Sequence, residues 1–168
     1  MSVTPFFAVK SATMIEHASF SQLSATDVYA ISALGTDVFY LEQSCTEPEM
    51  DWRDLEDTAE HYFIRDDNDA RKIIAYLRVI DTLDEFSTSY PRTIGRVVVD
   101  AASRGRGLSS KLLQQVIADH PDTGLILHAQ TQAKAVYAKA GFHEIGETFI
   151  EAGIEHITMV RDAARGEA

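Results

Sequence analysis

Only one cysteine, Cys45, occurs in the 168 residues. No intramolecular disulfide can form, and nothing asks for an oxidising compartment. Long hydrophobic runs are missing too, since no stretch approaches the roughly 18 apolar residues of a membrane span. The opening "MSVTPFFAVKSATM" has no charged segment leading into a long apolar core, so it does not read as a signal peptide. A cytoplasmic protein is the expectation. Positive charge is scarce: 15 Lys and Arg stand against 26 Asp and Glu, a net charge of −11. That disfavours nucleic acid and anionic membranes as partners, because both need a basic face. The 6 histidines form no i, i+4 pair and no cluster with cysteine, so no metal is expected. Internal repeats, low-complexity tracts and linkers are absent, and the length fits one domain spanning 1–168.

What is present alternates between helical and extended patterns. Ser24, with Asp27 three residues on, resembles a capping box, and Val28, Ile31, Leu34, Val38 and Leu41 follow at helical spacing, predicting one amphipathic helix to about Gln43. The segment "CTEPEMDWRDLEDTAE" carries 7 carboxylates and reads as an exposed loop. "EHYFIR" and "KIIAYLRVI" flank the turn cluster "DDNDAR" as a hairpin, and "TIGRVVVD" is a further strand. Leu108, Leu112, Leu113, Val116 and Ile117 form the stripe of a helix that stops before Pro121. "GLILHA" is a strand, "TQAKAVYAKA" a helix capped by Gly141, and "FHEIGETFI" with "IEHITMV" a closing hairpin. The order is mixed α/β, with one strand-helix-strand unit from Ile94 to Ala129.

The chemistry concentrates where that unit turns. Arg104, Gly105, Arg106 and Gly107 stand between the valine strand and the helix beginning at Leu108. A helix start has four unpartnered N–H groups and a partial positive charge. Glycines let an anion approach the backbone, and the arginines add charge, so the loop reads as a phosphate cradle. A Walker loop is excluded because no Gly-Lys-Ser/Thr occurs here. A dinucleotide fingerprint is excluded because its third glycine is missing and the strand ending "LHAQ" brings no carboxylate for a ribose.

Arg104-x-x-Gly107-x-Ser109 resembles the acetyl-CoA signature of the GNAT N-acetyltransferases, Gln/Arg-x-x-Gly-x-Gly/Ala, with serine in the last place. Downstream, "QTQAKAVYAKAGF" resembles the second motif of that family: Ala133, Tyr137, Gly141 and Phe142 match, and Gln130 stands where asparagine is usual. "VFYLEQSC", "GRVVV", "HAQ" and "GIEHITM" resemble the ElaA-like subgroup, and the likeness runs from Ser24 to Arg161, leaving about the first twenty residues as a variable extension.

The resemblance implies an acyl-CoA N-acyltransferase fold, a mixed and mostly antiparallel α/β sheet splayed open between the "GRVVV" and "LILHA" strands. It implies acetyl-CoA as cosubstrate and an amine of a small molecule or peptide as acceptor. The pantetheine arm would pair with Val97 and Val99, and an N–H near Val98 or Val99 would hold the thioester oxygen. The pyrophosphate would sit on Arg104, Gly105, Arg106, Gly107, Leu108 and Ser109. Tyr137 would be the general acid, with a packed aromatic as the alternative. For the base, Glu42, His61 and the polar end of "LHAQ" are open, Glu42 being preferred. Gln43 and Arg78 are acceptor-side residues, although Arg78 could equally be satisfied by a carboxylate. Trp52 is either a wall of the acceptor pocket or a loop anchor. A catalytically silent acyl-CoA sensor is the competing function, and the chain is either a monomer or a homodimer.

Overall fold

The computed structural model describes residues 14–164. Its strands are β1 (Ile15–Ala18), β2 (Glu60–Arg65), β3 (Ile73–Asp81), β4 (Arg92–Val99), β5 (Leu125–Gln130), β6 (His143–Glu151) and β7 (Ile154–Arg161). They form one sheet in the order β1-β2-β3-β4-β5-β7-β6. Every neighbouring pair is antiparallel except β4–β5. Three α-helices, α1 (Ala25–Gly35), α2 (Leu108–Asp119) and α3 (Lys134–Lys139), cover the faces.

The apolar pattern explains the layers. The first eight residues of β3 are buried, apolar apart from Arg78, as befits a strand covered on both faces. On one face Leu112, Leu113 and Val116 of α2 pack against Leu77, Val79, Leu125 and Leu127. On the other, Ala30 and Leu34 of α1 pack against Phe63, Tyr76 and Val98. Leu112 and Leu113 are fully enclosed, and truncating either to alanine would cost about 2–5 kcal/mol.

Ser24 and Asp27 close a reciprocal capping box, with Ser24 N–H donating to Asp27 Oδ2 at 2.9 Å and Asp27 N–H to Ser24 Oγ at 3.2 Å. The helix does not run on to Gln43 as an α-helix. Thr36–Glu42 is π-helical, and the Gln43 N–H reaches back five residues to the Val38 carbonyl at 3.0 Å. The wider turn breaks the 3.6-residue period. Leu41, assigned to the buried stripe, is therefore 66% exposed, while Val38 stays in the core. Residues 15–22, set aside as extension, supply the edge strand β1 and a 3₁₀ turn. A four-residue strand with one large apolar residue leaves too little alternation to recognise. The earlier part of that extension lies outside the described residues.

Glu60 joins the edge strands to α2. Its carboxylate meets Arg92, His120 and His17, and accepts the Tyr62 hydroxyl proton at 2.9 Å. Burial alone would raise this carboxyl. The hydrogen bonds from His120 and Tyr62 and the charge of Arg92 outweigh it and hold the group at about 2, against an ordinary 4.5. A depressed carboxyl stabilises the fold above its unfolded value, and that stability is lost as pH falls toward 2. Urea unfolding of Glu60→Gln should show lower stability at pH 7 and a shallower loss between about pH 5 and 2 than the parent. Parallel pH profiles for the two proteins would remove Glu60 as the source.

Candidate functional site

The one parallel junction of the sheet is short. β4 and β5 pair only at Arg92–Leu125 and Thr93–Ile126, and beyond Thr93 the strands diverge. Two features hold the gap open. On β4, Tyr76 faces Val98 while Arg78 faces Gly95, so the strand bulges at Arg96, whose φ is +57°. On the other flank, β5 is fully engaged with β7 from Leu125 to Gln130. The result is a groove of about 670 Å³ reaching Val97, Val98, Val99, Arg104, Gln130 and Tyr137.

Main-chain alternation gives the groove its polar edge. The Asp100 N–H donates to Ile74 O on β3 at 2.9 Å. Two residues back, Val98 also turns its N–H toward β3, opposite Tyr76. The main chain of Val99 and Val97 is thereby left on the open side, and Val99 O indeed accepts from Arg104 Nε at 3.2 Å. Among the three valines, Val98 is the one whose N–H does not face the groove.

The loop after β4 curls over the same end. Gly105 and Gly107 have φ of +76° and +70°, and a Cβ built on either meets nothing within 4 Å. The glycines thus permit a left-handed path and leave open space above it. Leu108 is buried and anchors the start of α2, while Arg106 and Ser109 border solvent. Gly105, Gly107, Leu108 and Ser109 line a depression that continues to Val97, Val99 and Tyr137. The unpartnered N–H groups of the first turn of α2 open onto it, which suits a pyrophosphate.

Arg104 is held in place. Glu42, at the end of the π-helical turn, takes both guanidinium nitrogens at 2.8 Å. The hydrogen bond from Arg104 lowers the Glu42 carboxyl below its ordinary range. The adjacent Gln43 accepts a hydrogen bond from Gln130 Nε2 at 3.0 Å. The two residues at the end of the π turn therefore span the gap, one tied to the loop after β4 and one to β5.

Tyr137 sits in the core beneath α2, edge-on to Phe142, and still reaches the groove. Its turn is pinned by Phe142 N–H to Tyr137 O at 3.1 Å and Gly141 N–H to Ala138 O at 3.0 Å, around Gly141 with φ +90°. Burial pushes the Tyr137 phenol up to about 12. The hydroxyl has no hydrogen-bond partner among the described residues.

The acceptor-side residues fall out differently. Arg78 is 4% exposed and grips Asp51 through two bonds of 2.7 Å and Asp54 at 3.0 Å. It anchors the acidic loop, and removing one partner from such a buried pair costs about 3–5 kcal/mol. His61 is buried, with Nδ1 on the Tyr76 hydroxyl at 2.8 Å and Nε2 on Asp54 O at 3.3 Å, so neither nitrogen is free. Trp52 is 80% exposed, which excludes the loop-anchor reading. At the polar end of "LHAQ", one of the three places open for the base, His128 pairs with Glu151, Nδ1 to Oε2 at 3.3 Å, and both line the groove; Glu151 is the partner that sequence reasoning missed. His128 alternates with the buried Leu127 and Ala129, and that pattern in "LILHAQ" marks it as facing away from α2. Glu151 is the last residue of β6, which no local pattern connects to β5.

Residues 31–163 match the acetyltransferase (GNAT) domain. ElaA of Escherichia coli K12 is 34% identical over 146 residues, covering 84% of this chain and 92% of that protein. An acyl-CoA N-acyltransferase from Pseudomonas aeruginosa superposes with a TM-score of 0.78 at 31% identity, covering 89% of this chain and 99% of that one. The crystal structure of E. coli ElaA also gives 0.78, at 28% identity, with 90% and 100% covered. The sheet that opens at the β4–β5 junction is thus that of an acyl-CoA N-acyltransferase fold, and the chain belongs to the GNAT acetyltransferase family.

Proposed function

We propose that the protein is a cytoplasmic N-acetyltransferase that moves the acetyl group of acetyl-CoA to an amine by direct attack in a ternary complex. The observation that carries this is the unpaired β4 edge at Val97 and Val99, running from the glycine loop to Tyr137 in one continuous depression. Acyl transfer from acyl-CoA is the chemistry of the family, and the pyrophosphate, the pantetheine arm and the acyl group each have a fitting surface here. The pyrophosphate takes the amides from Arg104 to Ser109. The pantetheine amides add to β4 as a strand would. The acyl oxygen takes a groove-facing N–H of Val97 or Val99.

The amine nitrogen forms a bond to the carbonyl carbon, the carbon–sulfur bond breaks, and the thiolate takes a proton from Tyr137. Burial holds this phenol at about 12, which makes it a weaker acid than the departing thiol, so its proton moves only as the thiolate leaves and the tyrosinate regains one from solvent. The proton lost by the amine goes to His128, whose Nδ1 is oriented by Glu151. Glu42 is paired with Arg104 and His61 has both nitrogens engaged, which favours His128 among the three groups. Tyr137 belongs to the core on the α2 face and His128 faces the other way, so acid and base flank the gap. A silent sensor would need neither group.

The test is thiol release from acetyl-CoA with a panel of amines, together with calorimetry of Gly107→Val. Release with at least one amine is expected. The valine should weaken acetyl-CoA binding more than about tenfold, or ~1.4 kcal/mol. It fills the open space and strains a left-handed residue, which itself costs about 1–2 kcal/mol of stability. Tight binding without release from any amine would establish the sensor, and unchanged affinity in the variant would remove the cradle.

A further inference from the structure

A second cavity of about 250 Å³ lies under α1, on the face of the sheet opposite α2. Its walls are Phe20, Leu23, Val28, Ile31 and Leu55. The polar groups of its floor, His61 and the Tyr76 hydroxyl, satisfy one another at 2.8 Å, so the floor offers little to a polar ligand. The size is just below the roughly 300–1,000 Å³ of sites for drug-sized ligands, which suits one aromatic ring or branched alkyl group.

This cavity adjoins the acyl-transfer groove, and its lip and wall carry features of a ligand site. Phe39, Arg96 and Val98 line both, and Val98 lies between the two valines whose main chain forms the groove edge. The lip is apolar and open to solvent: Trp52 is 80% exposed, Met50 63% and Leu55 48%. Trp52 also holds a φ of +66°, a strained conformation for a bulky residue of the kind that collects at ligand clamps. Finally, a carboxylate is built into the wall. A Cβ at Gly35 would lie 1.4 Å from Glu49 Oε1, so the glycine is what admits this group. Asp51 and Asp54 are consumed by Arg78, whereas Glu49 makes no hydrogen bond or ion pair among the described residues. Burial pushes the Glu49 carboxyl up, while Arg96 lines the same wall and its charge acts on Glu49, so the cavity suits a neutral apolar group.

We infer that this cavity selects the acceptor: it takes the apolar substituent of an amine, an aromatic ring or branched alkyl group, while the amino group rests in the groove beside β4. The inference rests on the acetyl-transfer reading and narrows its substrate to arylalkyl- and alkylamines. Small hydrophilic amines and polyamines lack the group that fills the cavity. Binding gains come from the apolar area removed from water on both the ligand and the lip.

Trp52 is the only tryptophan, so its emission reports occupancy of the lip without any turnover. Phenethylamine and ethylamine are titrated into the protein with CoA present, and acetyl transfer to each is measured separately. Phenethylamine should shift Trp52 emission with a Kd at least tenfold below that of ethylamine, and its kcat/KM should be at least tenfold higher. Val28→Phe, which fills the cavity from α1, should reduce that preference at least tenfold. Leu55→Gln, at an exposed position where folding is not at risk, should reduce it in the same direction by a smaller factor. Equal affinities and equal rates for the two amines, or emission that ignores both, would overturn the assignment, as would tight phenethylamine binding with faster transfer to ethylamine. Failure of every amine to release thiol would instead remove the acetyl-transfer reading, with the fluorescence still reporting whether the cavity binds.

Discussion

Tyr137→Phe should lower turnover about 100- to 10,000-fold, the span a positioned general acid contributes. The expected acetyl-CoA affinity is close to that of the parent, because the ring keeps its edge-on contact with Phe142 and its place in the core. Only the hydroxyl is deleted, and that hydroxyl has no hydrogen-bond partner among the described residues whose loss could explain a structural effect. Stopped-flow detection of thiol release separates the chemical step from product release. A leaving thiolate that needs no proton would make the variant as fast as the parent, and acylating the amine from a thioester with a more acidic thiol should shrink the deficit. Equal deficits for both thioesters would place Tyr137 in the packing class.

How far the sequence carried can be judged from particular elements. "EHYFIR" became β2 residue for residue, and the leucine stripe of α2 is buried as its spacing requires. These patterns are legible because β2 is covered on both faces and α2 on one, so the apolar run and the stripe each record tertiary position. The π-helical turn was not legible. Its residues continue the apolar periodicity of α1, and the extra residue per turn follows from ties at its end, Glu42 to Arg104 and Gln43 to Gln130, which span 62 and 87 residues. β1 failed for the opposite reason, having too few residues to show any period.

The cradle was read from its glycines, and the structure supplies a further reason for them, since both have left-handed φ. The acidic segment reads from its sequence as an exposed loop, with nothing to say that its carboxylates are paired. Instead Arg78 and Arg96 reach Asp51, Arg78 reaches Asp54, and Arg53 reaches Glu56. Arg78 is buried in β3, and nothing in "YLRVI" says which of many carboxylates will satisfy it. Long-range ion pairs of this kind decide the electrostatics of the site, and they are set by the sheet register rather than by neighbours in sequence. The same holds for the base. Glu42 was the preferred acceptor of a proton from its place on the first helix, but a carboxylate holding both nitrogens of Arg104 is a poorer base than a free one.

His128→Ala should therefore be the second variant with a large kinetic effect, about 100- to 10,000-fold in kcat if the imidazole accepts the amine proton. Acetyl-CoA affinity should hold, because His128 lies on the face of β5 away from α2 and the glycine loop. Added imidazole should restore part of the lost rate in His128→Ala and none in Tyr137→Phe, a response that a merely structural histidine would not give. Glu151→Gln should lower kcat by a smaller factor, since it removes the carboxylate that orients Nδ1 but leaves the ring. Glu42→Gln should act on a different quantity. Freed from its bidentate partner, Arg104 loses its fixed position over the loop, so the Kd for acetyl-CoA should rise while kcat changes little. Without rescue by imidazole, or with a larger fall in kcat for Glu42→Gln than for His128→Ala, the base returns to Glu42, and the ion pair with Arg104 must then open before the amine can be deprotonated.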